Sequence, residues 1–170
     1  MGIFLDLSKA YDVLDHKILL DKLNAYGIRG ITNKWMESYL TNRKQFVELK
    51  CLKRGKVISS TREVDIGVPQ GSILGPLLFS LYINDLPLNI PYAKTVLYAD
   101  YTNVMITESN LNTLQENVNN SITETQTWSS TNKFIVNTDK TSTMRFNNHQ
   151  KLNPVVPNVS FNHKAAFTLV

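Results

Sequence analysis

Asp6 and Asp100 are the two side chains of this sequence best placed to do chemistry. Each closes a short apolar run, Gly2-Ile3-Phe4-Leu5 before Asp6 and Val96-Leu97-Tyr98-Ala99 before Asp100. Runs of that length, rich in aliphatic and aromatic residues, predict buried strands. A carboxylate leaving such a strand is costly unless a partner, water or a cation compensates its charge. Paired strands would set the two carboxylates side by side as hard oxygen donors, the kind of ligand that magnesium takes.

Other residues offer polar chemistry in less costly settings. The run Gly67-Val68-Pro69-Gln70-Gly71-Ser72 is a loop by its glycines and proline. Within it Gly71 allows close backbone approach, and Gln70 carries both a donor and an acceptor. Tyr11, five residues after Asp6, reads first as a packing ring. Lys140, in the turn Asn137-Thr138-Asp139-Lys140, reads first as a solvated ammonium. Arg43, Lys44, Lys50, Lys53, Arg54, Lys56 and Arg62 gather in one stretch, and the whole chain carries a net charge of +4 with a pI near 9.1. That balance accommodates a nucleic-acid partner, although composition alone favours a solvated hairpin as the reading of the cluster.

The elements that must hold these groups follow from periodicity and punctuation. Asp15 can cap a helix running to about Tyr26 through Leu19 and Leu23, with Gly27 or Gly30 ending it. A second helix carries Trp35, Met36, Tyr39 and Leu40, with Thr32 or Asn33 as its cap. Segments 44–50 and 56–66 read as a hairpin around Lys53-Arg54-Gly55. Ser72 can cap a helix from Ile73 to Asn84 that is apolar nearly all round and is therefore expected to be buried. A hairpin over 94–107 carries Asp100 near its tip. Leu111, Leu114, Val118, Ile122 and Trp128 mark an amphipathic helix, and Lys133 to Phe146 reads as strand, turn, strand. The sum is an α+β fold, a small sheet backed by helices, in one domain of 170 residues with 42% apolar and 19% charged residues. A poorly ordered tail is expected over 147–170. One cysteine, Cys51, excludes an internal disulfide and a cysteine-rich zinc site, and suggests a reducing, intracellular setting. No apolar stretch reaches membrane-spanning length. Because Met1 leads straight into a central-looking strand, truncation at the N-terminus is expected.

The order of these segments is itself distinctive. FLDLSKAYDVLDHKILLDKL, GVPQGSILGPLLFSLYINDL, LYADYT and TNKFIVNTDKT resemble the A, B, C and D motifs of reverse transcriptases. The likeness is greatest to non-long-terminal-repeat (LINE-type) retrotransposons of the Jockey-like group, and it runs from about Gly2 to Phe146. It implies a polymerase palm over residues 1–146, a small antiparallel sheet backed by helices, without most of the fingers and without the thumb. It further implies RNA-directed DNA synthesis from deoxynucleoside triphosphates on an RNA template with a DNA primer. Asp6 and Asp100 match the aspartates that bind two magnesium ions. Tyr11 matches the aromatic that excludes a ribose 2′-hydroxyl. Pro69, Gln70 and Gly71 match the loop touching nucleotide and template, and Lys140 matches the lysine proposed to protonate pyrophosphate. His16 reads as helix-start packing or capping. One departure stands out: relatives read Tyr-Ala-Asp-Asp, whereas Asp100 is followed here by Tyr101. A phenol stays protonated at neutral pH, so the resemblance implies impaired polymerisation. The remaining readings are a non-catalytic nucleic-acid-binding protein and an unselected transposon relic; oligomeric state is not specified.

Overall fold

In a computed structural model, which describes residues 1–51, 55–146, 160–161, 164–165 and 167–169, the chain divides into two compact units. One comprises Met1–Ala10 with Tyr82–Val170, the other Tyr11–Leu81.

The first unit is built on the strand that the opening apolar run predicts. β1 (Gly2–Asp6) lies at the centre of a five-stranded sheet. Its antiparallel neighbours are β7 (Tyr101–Met105) on one side and β8 (Ser142–Met144) on the other. β6 (Lys94–Tyr98) pairs with β7 as a hairpin and forms one edge. β11 (Phe167–Leu169) runs parallel to β8 at the other edge. Within 147–170, two further short strands, β9 (Ser160–Phe161) and β10 (Lys164–Ala165), pair with each other. The expectation of a poorly ordered tail otherwise falls outside the described residues.

Side chains alternate across the sheet. Ile3, Leu5, Thr102, Val104 and Thr143 form one row and are all buried. Asp6, Tyr101, Asn103 and Ser142 belong to the opposite row. α4 (Leu111–Thr131) packs against a short 3-10 turn at Leu86–Asn89 and buries four residues of the stripe that its spacing predicts, Leu114, Val118, Ile122 and Trp128, while Leu111 at its first position stays exposed. Phe134 anchors this corner. Its ring stacks on Trp128 at 5.8 Å and meets Tyr82 edge-on at 5.3 Å, and the Tyr82 hydroxyl donates to the Asn132 carbonyl at 2.9 Å.

The second unit opens with α1 (His16–Ala25), capped by the Asp15 carboxylate accepting from the Ile18 N–H at 3.0 Å. α2 (Gly30–Leu40) starts before either expected cap: Arg29 occupies the N-cap position and gives no side-chain hydrogen bond. Gly30, with φ of +62°, makes the turn that allows this early start. The expected hairpin is two short ladders in series, β2 (Arg43–Gln45) with β5 (Arg62–Val64) and β3 (Glu48–Cys51) with β4 (Gly55–Ile58). Its predicted turn falls largely in 52–54, outside the described residues. α3 (Leu74–Ile83) corrects one expectation. Leu78, Phe79, Tyr82 and Ile83 are buried, but Leu77 is 51% exposed and Ile73, just before the helix, 96%. A helix with only one covered stripe leaves its remaining apolar residues in water.

Candidate active site

The carboxylate candidates and the lysine candidate belong to the first unit. β1 ends at Asp6, which pairs directly with Tyr101 on β7, and Tyr101 in turn pairs with Tyr98 on β6. Directly opposed residues of antiparallel strands project to one face, so Asp6, Tyr101 and Tyr98 share a row. Exposure falls along that row from Tyr98 at 77% through Tyr101 at 54% to Asp6 at 7%. Ala99 and Asp100 form the two-residue turn, and Ala99 has φ of +49°. A positive φ there matches the twist of a tight hairpin. Asp100 thus sits at the hairpin tip, and its carbonyl accepts from the Leu7 N–H at 3.4 Å.

Lys140 reaches this place from the segment after α4. β1 continues beyond Asp6 as a bridge between Leu7 and Val136, with the Ser8 N–H donating to the Ile135 carbonyl at 2.9 Å. The Asn137 N–H donates to the Asp6 carbonyl at 2.9 Å. Asn137 then organises the following turn. Its carbonyl accepts from the Thr141 N–H at 2.9 Å and the Thr141 hydroxyl at 2.8 Å, and its side-chain oxygen accepts from the Asp139 N–H at 3.2 Å. So held, the Lys140 ammonium lies 3.6 Å from Oδ2 of Asp6. That is an ion pair longer than a hydrogen bond, from an ammonium largely in water, and therefore weak.

The loop candidates and Tyr11 belong to the second unit, where they converge. The Tyr11 carbonyl accepts from the Val68 N–H at 2.9 Å, and the Leu14 carbonyl accepts from the Gly67 N–H at 2.7 Å. His16, buried as expected at the start of α1, brings its Nε2 within 2.7 Å of the Gly67 carbonyl. Gly67 has φ of +81°, and a Cβ there would lie 2.7 Å from the Asp12 carbonyl oxygen, so only glycine fits. Pro69 turns the chain through its carbonyl, which accepts from the Ser72 N–H at 3.2 Å. The Ser72 hydroxyl accepts from the Gly75 N–H at 3.0 Å and so caps α3. Gly71 has φ of +81° with open space where a Cβ would stand. Gln70 donates from Nε2 to Oδ1 of Asp12 at 2.9 Å. The Tyr11 ring stacks on Phe79 at 4.7 Å, which is the packing role first read for it. A cavity of about 730 Å³ is lined by Asp12, Arg43, Lys44, Glu63, Pro69 and Gln70, among others.

Asp6, Asp100 and Lys140 are therefore gathered in one unit, and Tyr11, Pro69, Gln70 and Gly71 in the other. Reading residues one by one missed Asp12 as the partner of Gln70, Asn137 as the organiser of the lysine turn, and Tyr101 as the cross-strand neighbour of Asp6. Only the last left a usable signal, since a two-residue turn at 99–100 fixes that pairing. Among the described residues no group of three His, Cys, Asp or Glu side chains is placed to hold a metal ion. Two aspartates are still a reasonable donor set for magnesium, which keeps waters and takes phosphate oxygens as ligands.

Comparison with known proteins agrees with the motifs. Residues 1–162 match the family described as reverse transcriptase (RNA-dependent DNA polymerase). The chain is 27% identical over 155 residues to the RNA-directed DNA polymerase from mobile element jockey of Drosophila melanogaster, covering 87% of this chain and 16% of that protein. It is 34% identical over 92 residues to the probable RNA-directed DNA polymerase from transposon BS of the same fly, covering 51% of this chain and 9% of the relative. A similar protein from transposon X-element is 35% identical over 92 residues, covering 51% of this chain and 9% of its own length. The chain thus spans only a small part of these relatives, yet the family match takes in nearly all of it: it belongs to the reverse transcriptase (RNA-dependent DNA polymerase) family.

Proposed function

We propose that this chain is the palm portion of a retrotransposon RNA-directed DNA polymerase, with its nucleotidyl-transfer site impaired by Tyr101. The observation that carries the proposal is the pairing of Asp6 with Tyr101 beside Asp100 at the hairpin tip. Asp6 and Asp100 would hold magnesium, which when bound supplies charge neutralisation for the triphosphate and acidifies a primer 3′-hydroxyl. The chain's own contribution is position. The β1–β7 ladder fixes the Asp6 backbone, and the Asn137 turn brings a cation to its carboxylate. Lys140, largely in water, has the freedom to meet a phosphate oxygen and give up a proton. Tyr11, backed by Phe79, presents a flat wall suited to excluding a 2′-hydroxyl. Tyr101 sets a phenol where a carboxylate would stand. Loss of such a ligand costs rate at tenfold per about 1.4 kcal/mol of barrier.

The test is extension of a DNA primer on an RNA template with magnesium or manganese. Native chain is compared with Tyr101→Asp, and Asp6→Ala serves as the blank. Extension only by Tyr101→Asp is the expected result. Native extension above the blank would overturn the impairment, and silence from a folded Tyr101→Asp would overturn the assignment of Tyr101 as the lesion.

A further inference from the structure

We propose that Asp12 is a positioning residue that locks the side-chain amide of Gln70, so that Gln70 meets nucleic acid or nucleotide as a hydrogen-bond acceptor. This rests on the reading of the Gln70 loop as a nucleotide- or template-contacting loop. A glutamine alone is ambivalent, with two donors on nitrogen and an acceptor oxygen on the other side. An ionised aspartate is acceptor-only, so a flipped amide would set oxygen against oxygen. The 2.9 Å contact from Nε2 to Oδ1 of Asp12, made at the exposed surface, therefore commits the NH₂ group to Asp12 and leaves Oε1 for a ligand.

Asp12 is itself held in place. The carbonyls flanking it, of Tyr11 and Leu14, accept from Val68 and Gly67, and its own carbonyl lies against Gly67, where no Cβ fits. Segment 11–16 is thus fastened to Gly67 and Val68 on both sides of Asp12. Both residues line the 730 Å³ cavity whose basic side chains are Arg43 and Lys44. A phosphate oxygen suits the two basic groups but not Oε1. What Oε1 selects is a donor, either an exocyclic amine of a base or a sugar hydroxyl.

The experiment has two arms on the full chain. First, the side-chain amide signals of Gln70 are assigned by ¹⁵N NMR through their loss in Gln70→Glu, then followed in Asp12→Ala and Asp12→Asn. Locked amide protons should be well separated in the native chain and collapse toward free-glutamine positions in Asp12→Ala. Second, fluorescence anisotropy measures binding of labelled RNA and of DNA with the same sequence, and of A-rich and U-rich RNA. The native chain should discriminate by roughly three- to tenfold, the range for one hydrogen bond. In both Asp12→Ala and Asp12→Asn the discrimination should fall to about twofold or less, with thermal midpoints checking that the fold is retained. Loss of the RNA-over-DNA preference identifies a sugar hydroxyl as the donor; loss of the A-over-U preference identifies a base amine. Gln70 signals unmoved by Asp12→Ala overturn the lock. Moved signals with unchanged discrimination overturn the ligand role. A native chain that binds no oligonucleotide overturns the ligand role together with the template-contacting reading, while the NMR arm still decides the lock.

Discussion

At the scale of single residues, two glycines separate conformational demand from space. Gly67 and Gly71 share a φ of +81°, but only Gly67 has a neighbour where a Cβ would go, the Asp12 carbonyl at 2.7 Å. Gly71→Ala should cost about 1–2 kcal/mol, the left-handed penalty alone. Gly67→Ala adds a backbone overlap that no side-chain rotation relieves, so it should cost clearly more, and urea midpoints of the two variants check the order. The roles of these glycines were only half legible in sequence. Their loop character was plain from composition, but the closeness of Asp12 depends on a contact between segments more than fifty residues apart. Asp6 was legible as a carboxylate closing a buried apolar run, whereas the run before Asp100, expected to be buried as well, is an edge strand with Val96 45% and Tyr98 77% exposed. Asn137 was not legible, since asparagine in a turn is ordinary.

At the scale of elements, capping and periodicity were read well where they were local. Asp15 caps α1 as its spacing implies, and the stripe of α4 is buried from Leu114 to Trp128, with Leu111 at its start 47% exposed. α3 depends on Ser72, whose hydroxyl receives the Gly75 N–H at 3.0 Å. Gly75 is also tight there, with a Cβ position 3.0 Å from that hydroxyl oxygen, so cap and glycine are matched. Ser72→Ala should cost about 0.5–2 kcal/mol, measured by chemical denaturation, and Ser72→Asp should recover part of it. The expectation that α3 is buried all round failed because composition gives hydrophobicity without direction. Which stripe is covered is decided by neighbours far along the chain. The hairpin over 43–64 broke into two ladders for a comparable reason. Its alternation is imperfect, and the Val47 N–H takes the Ser59 hydroxyl at 2.9 Å between the ladders.

At the scale of the whole molecule, the α+β class and the family were legible because four motifs occur in order over nearly the full length. The division into two compact units was not, because the first unit joins Met1–Ala10 to residues from Tyr82 onward. The amine of Met1 ties those two pieces by donating to the Ile106 carbonyl at 2.6 Å. Its pKa is lowered from the ordinary 8.0, first by burial and then by the positive charge of Arg145. A base with a lowered folded-state pKa binds fewer protons folded than unfolded in the interval below 8.0. In a chain with this free amine, stability should therefore rise with pH through that interval and level off above it. The N-acetylated chain should lose this contribution, and denaturant midpoints from pH 6 to 9 make the comparison.

The β1–β7 register carries one more consequence. Because residue 101 stands directly across from Asp6, an acid placed there would face a second acid on the same side of the sheet. Opposed like charges in a ladder cost roughly 0.2–1 kcal/mol. Tyrosine at this position sets no second charge against Asp6. Tyr101→Asp should melt below the native chain in chelator and regain ground as magnesium is added, since a ligand bound only by the folded state raises stability with its concentration. The native chain, with Asp6 and Asp100 alone, should gain less from magnesium than Tyr101→Asp does. In that case the residue at position 101 sets how strongly the stability of the fold answers to magnesium.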